Sequence, residues 1–442
     1  MNDPISHTAD VLVIGGGPAG SSISTLLARR EWRVTLIEKD RHPRFHIGES
    51  LLPHNNPLLA ELGVLSEIEA VSIVKAGAEF DSKYHGKSQT FNFSEALDKS
   101  LPTAFQVHRA DFDHILLRNA ARNKVNVVQD TRARQVDFRP DGVQVHAQGP
   151  DGEQIWNARF LVDASGRDTF LAGLLGTKVP NRNHRSAAMF GHYEGAKRHP
   201  GAAAGNISIY WFDHGWIWFI PLARDITSVG AVCWPYYLKS RSGSLDQFLD
   251  ETIATVPALA MRLADARRVA PVTATGNYSY EASRACGANY LLVGDAFAFV
   301  DPIFSSGVYL AMSSAFAGAP AVDAALRDPA RAPALMRHHE RRMRRALNIF
   351  KWFIYRMTTP TMRQMIMGPR NVFGVVEGLI AFLAGDVFRR NGVLLRVWIF
   401  RGIYYLYSAL SPRSSWAAMR KRRINIRTAS DPDSVTAQAK VR

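Results

Sequence analysis

Only two cysteines, Cys233 and Cys286, occur in 442 residues, with no C-x-x-C pair, so neither a disulfide framework nor a structural zinc site is expected. That usage suits a chain kept in a reducing cytosol. The start, Met1-Asn2-Asp3-Pro4, lacks a charged segment backed by an apolar one, and no signal peptide is expected. No repeat with a period of about 20 to 50 residues recurs. The most apolar late window, Val393 to Leu410, is interrupted by Arg396 and Arg401 and falls short of the roughly 18 uninterrupted apolar residues of a spanning helix. Acidic residues are scarce at one end only. From Ala321 onward there are 23 Lys/Arg and 7 Asp/Glu, against 31 and 32 before it, so the net charge of +15 belongs to the C-terminal quarter. What the chain does hold is apolar bulk: 47% hydrophobic and 21% charged residues describe a large core in two or three substructures and exclude disorder over most of the length.

Val11 to Ile14 is a short continuous apolar run, as in a parallel strand buried on both faces, and it leads into Gly15-Gly16-Gly17-Pro18-Ala19-Gly20. Ser21 to Arg30 reads as a helix and Arg33 to Ile37 as a second strand ending at Glu38. Together they form a complete β-α-β dinucleotide fingerprint. Gly15 allows the tight turn, Gly17 lets the backbone approach a pyrophosphate, Gly20 permits close helix–strand packing, and Glu38 is placed to bind a ribose hydroxyl. The fingerprint alone does not separate FAD from NAD. An FAD site needs a second contact region, and Ala288 to Ala296 reads as a strand ending at Gly294-Asp295, with the next segment rising as a helix. Between the two lie Val107 to Asp113, containing Arg109, and Phe160-Leu161-Val162-Asp163-Ala164-Ser165-Gly166. In this order the landmarks resemble the para-hydroxybenzoate hydroxylase type of FAD fold.

Gly215 to Pro221 contains W-x-W-x-I-P, at Trp216, Trp218, Ile220 and Pro221, and matches every fixed position of the flavin-dependent halogenase signature that it resembles. Taken alone it is a half-buried strand with both indoles on one side. The resemblance implies that Trp216 and Trp218 stand between the flavin ring and the substrate pocket, so that oxygen goes to a halide ion. Lys75 lies beyond Gly48-Glu49-Ser50 at a distance similar to that of the halogenase lysine, among Val71, Ile73 and Val74, at the mouth of a strand or in a cavity where desolvation disfavours the ammonium. Its implied role is to capture and position hypohalous acid; a surface lysine at a strand end is the plain alternative. Phe299 to Val308 resembles the F-x-x-P-x-x-S-x-G motif of halogenases acting on phenols, pyrroles and indoles other than free tryptophan. It assigns chloride or bromide to the Ser306–Gly307 backbone before a small-residue helix, Tyr309 to Ala317. A loop that only closes over the flavin, as in flavin hydroxylases, is the alternative.

The resemblance implies FAD contacts at Gly15, Gly17, Ala19, Gly20, Glu38, Lys39, Ser50, Arg109, Asp295, Pro302, Gly307 and Val308, and catalytic roles for Lys75, Trp216 and Trp218. The expected class is α/β, a Rossmann-like FAD domain of the hydroxylase type with an inserted antiparallel substrate sheet and a C-terminal helical region. The sheet is read from the strand-like runs Asn206 to Phe212, Gly215 to Ile220 and Ile226 to Val232, with a helix near Leu245 to Leu263. The expected divisions are 8–180 and 284–320 for FAD, 181–283 for the sheet, 321–427 for the basic helices and 428–442 for a flexible tail. With no second nucleotide fingerprint, FAD is expected to arrive reduced (FADH2) from a separate NAD(P)H flavin reductase. The substrate is an electron-rich aromatic, free or carrier-tethered, with His54 and His108 as candidate bases. An FAD aromatic hydroxylase, a polyprenyl-reductase-like oxidoreductase and a catalytically idle flavoprotein stay open as alternatives. So do three readings of the basic, aromatic end: a lid over the substrate pocket, a docking face for an acidic carrier, and an interfacial membrane helix pair. Nucleic acid is disfavoured for want of a binding module. The expected location is the cytoplasm, at the inner membrane surface if the interfacial reading holds.

Overall fold

The computed structural model describes residues 5–276, 279–389 and 392–428. The tail expected over 428–442 lies, apart from Thr428, outside the described residues.

Strand Ile5–Ile14 is central to the first sheet because its second half is apolar on both faces, with Val11, Leu12 and Val13 fully buried. It runs parallel to Val34–Ile37 on one side and Gly152–Asp163 on the other, Val11 lying opposite Val34 and Phe160. Asn126–Val128 and Tyr290–Leu292 extend the parallel set, and the hairpin of Arg132–Arg139 with Gly142–Gly149 adds two antiparallel strands. Helices Pro18–Ala28 and Ser306–Arg327 pack on each other over one face, through Ile23, Leu27, Met312 and Ala315. The helix expected straight after Asp295 starts later. Gly294, with φ +60°, turns the chain into a single 3-10 turn, Gly294–Ala296, and the long helix begins at Ser306.

The second sheet centres on Gly215–Pro221, antiparallel to Ile207–Phe212 and to Ile226–Cys233. It is not wholly antiparallel, and it crosses the division expected at residue 181. Gly77–Ser82 pairs parallel with Ile207–Phe212 and antiparallel with Lys87–Asn92, so two strands come from the earlier segment. The physical reason is burial: Phe80 and Phe91 are buried on the same aromatic layer as Trp211, Phe80 stacking on it at 5.6 Å. Trp216 and Trp218 point to this layer, and the Trp218 indole occupies the space that Gly230 leaves on the neighbouring strand, where a Cβ would fall 2.2 Å from the ring. Behind it pack Phe304, Phe350, Phe353 and Phe382, the last two stacked at 4.1 Å.

From Ala321 to Thr428 the described residues are mainly helical, as expected. The window expected to be too interrupted to span is one continuous helix, Gly392–Leu410, whose length and composition suffice to cross a membrane. Its two arginines leave the backbone hydrogen-bonding uninterrupted, because arginine is a good helix former.

Candidate active site

A cavity of about 620 Å³ opens at the carboxyl ends of the parallel strands, bordered by Ile14, Ile37 and the Gly294–Asp295 turn, where ligands sit in open α/β sheets. The glycine loop is shaped by close approach. Gly15 has φ +105°, and a side chain there would fall 2.3 Å from the Ala164 carbonyl oxygen; a Cβ on Gly20 would fall 1.8 Å from the Gly15 oxygen. Gly17 instead faces the cavity, where a Cβ would meet only the Arg44 guanidinium at 3.8 Å. Glu38 accepts from the N–H groups of Gly16 and Asp40, at the end of its strand. Lys39 pairs with Asp168 across the rim.

Arg109 is held by a bidentate pair with buried Asp113 (2.9 and 3.0 Å) and donates to the Ile47 carbonyl at 2.8 Å, which fixes the Gly48-Glu49-Ser50 segment beside the cavity. Burial raises the Asp113 carboxyl, but Arg109 and Arg44 outweigh it and hold the group below its usual range. Asp295 faces the cavity, and burial pushes its carboxyl up to about 6. Open backbone at Gly17, cations at Arg44 and Arg109, and a carboxylate on each side fit FAD, which the glycine loop, Glu38 and Asp295 would hold.

Trp216 and Trp218 wall this cavity, their rings 5.9 Å apart, and the Trp218 Nε1 donates to Ser228 Oγ at 3.1 Å. Lys75 ends strand Ile73–Lys75; the two-residue alternation turns Val74 outward and Lys75 inward. The lysine is 1% exposed, its Nζ donating to Ser50 Oγ and the Leu51 carbonyl, both at 3.0 Å, and lying 5.3 Å from the Phe93 ring. Burial pulls the ammonium down to about 7. On the far side of Trp216 is a second cavity, about 30 Å³, also bordered by His184, Tyr355 and Arg422. His184 Nε2 meets Asp301 Oδ2 at 2.8 Å, and its buried Nδ1 has no hydrogen-bond partner among the described residues.

The sequence model of the tryptophan halogenase family matches residues 10–102 and 95–364. A 1H-pyrrole-2-carbonyl-(peptidyl-carrier protein) chlorinase of Pseudomonas fluorescens is 30% identical over 411 residues, covering 86% of this chain and 90% of its own. The chain belongs to the flavin-dependent halogenases. Among solved structures, the myxobacterial chondrochloren halogenase, a variant of the FAD-dependent halogenases, is similar at a TM-score of 0.77 and 34% identity, covering 88% of this chain and 92% of that one. A flavoprotein/dehydrogenase from Cytophaga hutchinsonii superposes at 0.83 with 27% identity, over 92% and 100%.

As a flavin-dependent halogenase the protein is an oxidoreductase whose cofactor is FAD. The cofactor contacts expected from sequence border the large cavity with one exception: Gly20 lies behind it, packed on Gly15. Lys75 does not border the cavity either; Ser50, its hydrogen-bond partner, does. Of the two residues expected at the halide, Gly307 is on the wall and Ser306 is not. Ser305, in a left-handed conformation (φ +54°), turns the chain so that Ser306 is buried and Ser305 itself borders the cavity. Ser305 is the fixed serine of the halogenase loop motif. His54 and His108 border neither cavity: His108 meets the Ala223 carbonyl at 3.0 Å, and His54 is buried beside Tyr309.

No sequence motif marks Arg44, His184 or His192. His192 meets Glu49 at 2.7 Å; burial opposes its protonation, but the Glu49 hydrogen bond and charge hold it above its ordinary value. Asp301, inside the loop motif, was the one local signal for His184, whose partner lies 117 residues away.

Proposed function

We propose that this halogenase acts on an electron-rich aromatic ring of the phenol, pyrrole or indole type, free or carrier-tethered, with reduced FAD delivered by a separate NAD(P)H flavin reductase. The observation that carries it is the shared wall: Trp216 borders both the FAD-sized cavity and the small cavity holding His184. An aromatic ring on the His184 side is kept from the flavin by the indole, whereas a halide beside Ser305 and Gly307 is not. The carrier-acting chlorinase relative supports the tethered form.

Bound in reduced form, FAD supplies the activated oxygen that converts a halide to hypohalous acid. The N–H groups opening helix Ser306–Arg327 favour the halide. Among the described residues no carboxylate lies within hydrogen-bond reach of buried Lys75, so its ammonium can hold hypohalous acid by hydrogen bonding, or its neutral amine, favoured by burial, can attack the halogen, breaking the O–halogen bond and releasing water to leave an N-halo adduct. His184, oriented by Asp301, takes the proton that activates the ring or leaves it on substitution. A cavity of about 30 Å³ holds one water and no ring, so the substrate enters by moving Tyr355 or Arg422.

The test supplies the protein with a flavin reductase, FAD, NADH and chloride or bromide, and follows free and carrier-bound phenols, pyrroles and indoles by mass spectrometry. Halogenated product is expected; hydroxylated product formed without halide would overturn the reading. In the same assay His184→Asn should lose about 10²-fold in turnover, with FAD affinity kept and the pH profile altered. An unchanged profile would remove His184 from the base role.

A further inference from the structure

We propose that helices Gly392–Leu410 and Pro412–Thr428 form a docking surface for an anionic lipid bilayer, lying on it rather than crossing it. The first helix has two apolar faces. Val393, Val397, Phe400 and Tyr404 recur at i, i+4, i+7 and i+11 and are buried against the body, on helices Pro360–Met367 and Val375–Leu383. At about 100° per residue, Leu395, Trp398, Leu406 and Leu410 fall on the opposite face. These four, with Trp416 on the second helix and Phe373 in the loop before Val375–Leu383, are 60–77% exposed.

An outward face of a soluble helix is ordinarily polar, and an apolar stripe of this size marks an interaction site. Phe373 is held in the left-handed region (φ +57°), unusual for a non-glycine residue, with its ring in solvent. Its loop adjoins the first helix through Gly374, which packs on the Arg396 side chain. The charge is what selects the occupant. Residues 392–428 hold eight Lys/Arg and no Asp/Glu. Arg396 packs along Gly374 and Gly378, and Arg401 is held between the Trp352 and Trp398 rings at 4.9 and 5.3 Å, while Arg413, Arg420, Lys421 and Arg423 of the second helix are exposed beside the apolar face. Exposed indoles at headgroup depth, leucines below them and arginines around them match an anionic interface. A helix pinned along one side to the body lies on a bilayer and does not thread it.

The arrangement also has a consequence for access. On the second helix Trp416 and Met419 face outward, while Arg422 turns inward, donating to the Asn183 carbonyl at 2.7 Å and covering Tyr355 beside the small cavity. The docking face and the cover of the substrate-side cavity are thus two sides of one helix.

Full-length FAD-loaded protein is mixed with vesicles of pure phosphatidylcholine, or of phosphatidylcholine with a third phosphatidylglycerol, and sedimented at low and high salt. Binding to the anionic vesicles is expected, weakened by salt because the charge part is screened. Trp398→Ser with Leu406→Ser should weaken it at least tenfold while FAD affinity and turnover of a water-soluble phenol stay unchanged. No binding to anionic vesicles, or binding indifferent to the double substitution, would overturn the proposal. So would either of two alternative occupants found in place of lipid: an acidic carrier protein bound by this face, or a second copy, seen as a dimer by analytical ultracentrifugation that the double variant abolishes.

Discussion

Lys75→Met is expected to leave no measurable halogenated product, a loss of more than about 10³-fold, while FAD binds as in the wild type. A positioned reactive group of this kind accounts for several powers of ten through effective concentration alone, and the Nζ is held in place between Ser50, Leu51 and the Phe93 ring. Methionine keeps the volume and the apolar packing. The stability readout separates chemistry from folding. With the folded pKa pulled from 10.5 to about 7, both folded and unfolded states are protonated below pH 7, and the cost of burying the charge is present in full. Between about pH 7 and 10.5 only the unfolded state keeps the proton, so stability rises with pH. The methionine variant should therefore be more stable than wild type at pH 6, by on the order of 2 kcal/mol after the two lost hydrogen bonds, with the advantage fading toward pH 10. Thermal unfolding at three pH values checks this. A variant that loses activity together with stability at pH 6 would make Lys75 a structural residue.

Gly20→Ala is expected to abolish FAD binding and to lower stability by about 3 kcal/mol or more, because its methyl group would fall 1.8 Å from the Gly15 oxygen and 3.1 Å from the Ala164 side chain. These neighbours are the glycine loop and the Asp163-to-Ser165 turn, so relief of the clash moves the cofactor cradle itself. Gly17→Ala is the contrasting case. With nothing but Arg44 at 3.8 Å, it should fold with an unchanged melting temperature in the absence of FAD and yet bind FAD at least tenfold more weakly, since the methyl group occupies the face open to pyrophosphate. Flavin titration and thermal unfolding of both variants distinguish a steric loop defect from a cofactor contact.

The cofactor half of the site was legible because its determinants are contiguous. A strand, three glycines at fixed spacing, a helix and an acid are one local unit, and Gly15, Gly17, Gly20 and Glu38 stand in the structure in the relation their spacing predicts. The Trp216/Trp218 pair was legible for the same reason, since alternation along one strand puts both indoles on one side. Lys75 was only half legible. Its apolar neighbours suggested burial, but whether a lysine at a strand end points in or out depends on the register with Ala104–Gln106 and on Ser50 and Leu51, which lie 25 and 24 residues away.

The sequence of this chain, read alone, determined a large-cored α/β protein with a dinucleotide-binding loop and a basic C-terminal quarter, and its resemblance to the halogenases implied FAD and a tryptophan wall, because each is written in neighbouring residues. Tertiary structure decided the rest. It chose Ser305 over Ser306 at the cavity through a left-handed turn, and it brought His184 to Asp301 across 117 residues. It also recruited Gly77–Ser82 into the second sheet, and left one face of Gly392–Leu410 apolar and uncovered. These outcomes depend on which buried surfaces meet after folding, and the free energy of that meeting belongs to pairs of distant segments, so no spacing along the chain records it.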